Sequence, residues 1–93
     1  TEEEMAFYDI VSQGEEAILN DEEAKEIAKE LVRIIKSKTE GQIDWTIKEN
    51  IKASIRATVK RLLRRKGFKD QQKIDNIVKL VLEQAVSLFE DAA

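Results

Sequence analysis

Apolar residues return every three or four positions along four stretches of this chain, with polar residues between them. That spacing gathers each apolar set on one side of a helix and predicts four amphipathic helices. The first is short. Met5, Tyr8 and Ile10 or Val11 form its stripe, Thr1 and Glu4 have capping-box spacing, and Gly14 ends it. In the second, Ala24, Ile27, Ala28, Leu31, Ile34 and Ile35 share a face, and Asn20 or Asp21 serves as cap. Glu22 and Glu23 sit in its positive first turn, Lys36 and Lys38 in its negative last turn, and Gly41 closes it. The third is read from Thr46, which repeats the capping-box spacing with Glu49. Its apolar arc is Ile47, Ile51, Ile55, Thr58, Val59, Leu62 and Leu63, and Gly67 is its stop. The fourth starts near Asp70 and turns Ile74, Ile77, Val78, Val81, Ala85, Leu88 and Phe89 inward. One short helix and three longer ones on short connections point to an all-α fold, a compact bundle of about four helices forming one domain over residues 1–93.

Composition supports the pattern. Charged residues are 38% of the chain, aromatics 5%, and proline is absent, which suits helices better than a sandwich or barrel. No apolar run approaches the length of a membrane helix, so no membrane partner is expected. The absence of cysteine fits a reducing compartment, and a cytoplasmic location is expected. Because the chain opens on Thr1 rather than Met, we expect it to be a piece of a longer protein.

Charge changes the picture. The net charge is only −3, yet residues 46–69 carry nine Lys/Arg against the single acid Glu49, a local +8 inside acidic flanks. Lys48, Lys52, Arg56, Lys60, Arg61, Arg64 and Arg65 are the candidate partner- or DNA-binding residues, with Lys66 and Lys69 beyond them. Lys52, Arg56, Lys60 and Arg64 are each four residues apart, opposite the apolar arc. The helix macrodipole favours cations near a C-terminus and accounts for Arg64 to Lys66, but not for Lys48, Lys52 and Arg56 in the first half. Three readings remain open: contact with a nucleic-acid backbone, pairing with an acidic protein or with the bundle's own helices, and local solubility. No aromatic residue interleaves with the cations, so stacking on single-stranded bases is not indicated.

Catalytic chemistry has little to work with. There is no His and no Cys, and Gly14, Gly41 and Gly67 are isolated, so no nucleophile–base pair or phosphate-cradling loop is available. Glu22, Glu26 and Glu30 alternate with Lys25, Lys29 and Arg33, as on a solvated helix face. No catalytic, cofactor-binding or metal-ligating residue is expected. Trp45, the only tryptophan, reads as a hydrophobic staple at the entry to the third helix, and Asp44 as a cap of the same turn. Phe7 and Tyr8 dock the first helix on the bundle. Ala53 and Ala57 mark a place where another backbone or a phosphate can approach.

Several strings in chain order carry a resemblance: Ala6-Phe7-Tyr8-Asp9, Glu30-Leu31-Val32, and Ile43-Asp44-Trp45-Thr46 with Glu49, Ala53 and Arg56. Val59-Lys60-Arg61-Leu62-Leu63-Arg64, Gly67-Phe68 and Val81-Leu82-Glu83-Gln84-Ala85 extend it. Together they resemble the C-terminal helical domain of type I restriction enzyme R subunits, the motor and nuclease subunits. One departure touches the turn after Gly67: Phe68-Lys69-Asp70 stands where the family often has Tyr-Pro-Pro. The resemblance implies a parent that translocates duplex DNA with ATP and magnesium and then cuts it, none of whose catalytic motifs lie in these residues. It also implies that this domain holds the R subunit on a methyltransferase core of modification and specificity subunits, beside other R-subunit domains. A basic module touching the double-stranded DNA backbone along the translocation path is the alternative.

Overall fold

A computed structural model describes residues 2–12 and 20–89 of the chain. The described residues form α1 (Glu2–Ser12), α2 (Asp21–Thr39), a 3-10 turn (Trp45–Ile47), α3 (Glu49–Arg65) and α4 (Gln71–Phe89). The expected all-α bundle is what these residues build. Packing runs round a ring: α1 lies on α2 and α4, α2 on α3, and α3 on α4. Thr1 and Gly14, read as the cap and stop of the first helix, lie outside the described residues.

One contiguous core fills the ring. Phe7, Ile27, Leu31, Ile35, Trp45, Val59, Leu63 and Val81 are fully shielded, and every helix contributes to it. Burying a side chain of this kind is worth about 1.5–3 kcal/mol, so these positions dominate the stability of the bundle. No described helix is long and apolar enough to cross a membrane.

The helix ends follow their local chemistry. Asn20 caps α2 in a full capping box: its side-chain oxygen accepts from Glu23 N–H at 2.8 Å, and the Glu23 carboxylate accepts from Asn20 N–H at 3.0 Å. Thr39 closes α2 inside the core, its hydroxyl donating to the Ile35 carbonyl at 2.9 Å. Gly67, at φ +106°, ends α3 in a Schellman arrangement. Phe68 N–H reaches the Leu63 carbonyl at 3.0 Å and Gly67 N–H reaches that of Arg64 at 3.1 Å, while Phe68 is buried with Leu63. The turn therefore forms without the family's prolines. Asp70 caps α4, accepting from the backbone N–H of Gln72 at 3.0 Å and of Lys73 at 3.4 Å.

Three expectations are corrected. The third helix does not start at a Thr46–Glu49 capping box: α3 begins at Glu49 after Lys48, which makes no side-chain cap bond. The cause is Trp45, whose burial holds residues 45–47 in a tight turn, with Ile47 N–H on the Asp44 carbonyl and Lys48 N–H on that of Trp45. Ile47 consequently leaves the apolar arc and is 78% exposed. Asp44 does not cap the turn either; it sits in the left-handed region at φ 59° and makes no side-chain cap bond. Finally, Met5 points to solvent, and α1 instead buries Phe7 and Val11, one turn apart.

Candidate functional site

The basic positions of α3 are set by that helix's own apolar face. Ile55, Val59, Leu62 and Leu63 turn into the core, which carries Arg56, Lys60 and Arg64 to the flank nearest α4. The two helices run antiparallel from the Gly67–Phe68 turn. Residues equally far from that turn stand at the same level, because both helices rise about 1.5 Å per residue. Cross-helix bonds fix this register at Arg64 with Gln71 and Lys60 with Asp75, and the same rise continued brings Ala57 toward Val78 and Ala53 toward Leu82, all four of which line one groove.

The bonds agree with this register. Arg64 donates to the Gln71 side-chain oxygen, and the Gln71 amide donates to Asp75 at 2.8 Å. Asp75 also pairs with the Lys60 ammonium at 3.4 Å. These four side chains lace the end of the helix pair nearest the turn. At the other end, Glu49 accepts from Arg56 and lies 3.8 Å from the Lys52 ammonium. The hydrogen bond from Arg56, then its charge, with Lys52 adding to both, holds the Glu49 carboxyl below its ordinary range.

Along the α3/α4 pair lies an open groove of about 710 Å³. Ala53 and Ala57 from α3 and Val78 and Leu82 from α4 form its apolar floor. Arg56, Lys60, Arg61 and Arg64 line one wall, and Asp75, Lys79 and Glu83 the other, five cations against two carboxylates. The two alanines present only methyl groups, which lets another backbone come close there.

The remaining sequence-predicted cations are placed differently. Lys48 and Arg65 are exposed and have no ionic partner among the described residues, while Arg61 donates only to the Thr58 hydroxyl at 3.4 Å. Lys66 turns toward α2 and lies 3.8 Å from the Glu30 carboxylate. The structure therefore divides the basic stretch: Lys60 and Arg64 bond to α4, Lys52 and Arg56 to Glu49 of their own helix and Lys66 to α2, while Lys48, Arg61 and Arg65 face solvent. Trp45 is fully buried and its indole N–H donates to the Phe89 carbonyl at 3.1 Å, so it anchors the loop from inside the core. Asp44 stays exposed beside it.

Sequence reasoning missed Gln71, Asp75, Lys79 and Leu82 as members of this site. Their signal was available in the equal spacing of Lys60 and Asp75, and of Arg64 and Gln71, about the Gly67–Phe68 turn. It also missed Ile43, 65% exposed beside the strained Asp44. Among the described residues no group of three His, Cys, Asp or Glu side chains is placed to hold a metal ion.

A family model described as the C-terminal region of type I restriction enzyme HindI endonuclease subunit-like proteins matches residues 1–91. No curated protein and no solved structure matches the chain at a significant level.

Proposed function

The chain belongs to the C-terminal domain family of type I restriction enzyme HindI endonuclease subunit-like proteins, and from that premise we propose that it is a docking domain. In this reading it performs no chemistry of its own. It holds an ATP-driven translocase and endonuclease subunit on the methyltransferase core of a type I restriction-modification complex in the cytoplasm, next to the other domains of that subunit.

The α3/α4 groove is the observation that carries the reading. Its rim is cationic and its floor apolar, the combination of a shaped, partly dry centre and a charged edge that protein interfaces use. The described residues do not fit the ATP or magnesium that the parent's activity needs. Gly41 and Gly67 stand singly at helix ends, and no carboxylates converge as a cation site requires. Those groups belong, in this reading, to other domains of the parent.

A second reading draws on the exposed cations. Lys48, Arg61 and Arg65 lack ionic partners among the described residues and are free to neutralise phosphates of duplex DNA. The two readings differ in one experiment. The intact subunit is titrated against purified modification and specificity subunits, with and without nonspecific duplex, across a salt series. Docking predicts saturable binding to the core without DNA, abolished by deleting residues 1–93. If the deletion changes only a duplex affinity that falls log-linearly with salt, the domain is a DNA-path element instead.

A further inference from the structure

Lys79 of α4 lines the α3/α4 groove together with the apolar Ala53, Ala57, Val78 and Leu82 and four cations of α3. We propose that this groove receives an acidic amphipathic helix of a partner protein, one of whose carboxylates pairs with Lys79. This rests on the docking reading above and specifies the chemistry of the surface it meets.

A groove lined by five cations and two carboxylates favours an anionic occupant. Lys60 is already paired with Asp75, Arg64 with Gln71 and Arg56 with Glu49, whereas Lys79 has no ionic partner among the described residues. The strongest unmet demand for negative charge is therefore at Lys79. A helix supplies it well, because two small or apolar side chains one turn apart on it span the roughly 6 Å between Ala57 and Ala53, with a carboxylate beside them. The alanines leave room for that backbone to come close. Duplex DNA fits less well. A phosphate strand gains nothing from Val78 and Leu82, whereas the apolar side chains of an amphipathic helix do.

The test uses the intact subunit and its purified modification and specificity subunits. A zero-length carbodiimide, which joins an amine only to a carboxylate in contact with it, is applied to the assembled complex and the products are mapped by mass spectrometry. The expected product links Lys79 to an Asp or Glu of a core subunit. Links from Lys79 only to its own chain, or to a second copy of it, overturn the proposal. In parallel, Lys79→Glu and Ala57→Trp should each lower affinity for the core at least about tenfold, as loss of a central anchor does. Lys79→Arg should keep it, and duplex affinity should be unchanged in all three. Lost duplex affinity with intact core binding makes the groove a DNA site and overturns the proposal. Unchanged binding of both kinds also overturns it. Helical circular dichroism checks each variant, and if Ala57→Trp misfolds, the Lys79 pair decides alone. Deletion of residues 1–93 separates the two levels: assembly that survives deletion ends the docking reading itself, while assembly lost on deletion but kept in the point variants ends only the groove.

Discussion

The indole N–H of Trp45 donates to the backbone carbonyl of Phe89 at 3.1 Å, across 44 residues of chain and inside the core. Phe89 is the last described residue of α4. The bond ties the loop that opens α3 to the far end of α4. It also explains why the turn before α3 is tight: the ring must reach inward before the helix can begin.

Trp45→Phe keeps most of the buried surface but leaves that carbonyl without its donor, and is expected to cost about 1–3 kcal/mol. Trp45→Ala also opens a cavity and should cost about 3–5 kcal/mol. Urea unfolding followed by circular dichroism measures both. Equal stability of wild type and Trp45→Phe would show that the bond contributes nothing.

Asp44 pays a conformational penalty beside that anchor, since a left-handed residue with a Cβ costs about 1–2 kcal/mol and no side-chain cap bond offsets it. Asp44→Gly should be neutral to stabilising by up to about 1 kcal/mol, and Asp44→Val destabilising by about 1–2 kcal/mol. Thermal melts of the two variants give the order directly, and a stabilised Asp44→Val contradicts the left-handed backbone.

Tyr8 on α1 donates its hydroxyl to Asp21 at the start of α2, and Lys25 lies 3.3 Å from the same carboxylate. The Tyr8 bond first, and Lys25 second, hold the Asp21 carboxyl below its ordinary range, while the same bond raises the Tyr8 hydroxyl above its own. The Asp21 contribution is complete above about pH 4 and is lost as pH falls through the depressed folded value. The Tyr8 contribution is complete below about pH 10 and is lost as pH rises through the elevated one. Tyr8→Phe should move the Asp21 midpoint upward in a carboxyl NMR titration. A midpoint that stays where it is would mean that the hydrogen bond does not form in solution.

Reversing Lys52, Arg56 and Lys60 to Glu should weaken docking while the helical signal persists. Arg56 and Lys60 line the groove, Lys52 lies beside Glu49 and none of the three is buried, while their ion pairs with Glu49 and Asp75 are partly exposed and worth little individually. Sedimentation of the variant with the methyltransferase core, beside its circular dichroism spectrum, checks both halves. Normal assembly, or loss of helix, counts against the assignment.

Much of this was legible in the chain itself. The period of apolar residues placed Ile27, Leu31, Ile35, Ile55, Val59, Leu63, Ile74 and Val81 inward, and each is buried. Such a pattern needs only the fixed angle between successive residues of a helix. Local end signals were equally readable, because Asn20, Gly41, Gly67 and Asp70 act through their own backbone and nearest turn. The family resemblance was readable from strings of residues without knowing where any of them sat.

What the sequence by itself determined, then, was the number of helices, the face each buries, and the crowding of positive charge on the third. Tertiary structure decided what those charges meet. Periodicity gives a residue's angle about its own helix axis and says nothing of which neighbour stands beside it, so only the packing of α4 on α3 pairs Lys60 with Asp75 and brings Lys79 into one groove with Ala53 and Ala57. Likewise, only the pull of a ring into a shared core delays α3 to Glu49 and leaves Ile47 outside. Long-range burial outweighed a local capping signal there, because shielding an indole from water is worth more than one exposed cap.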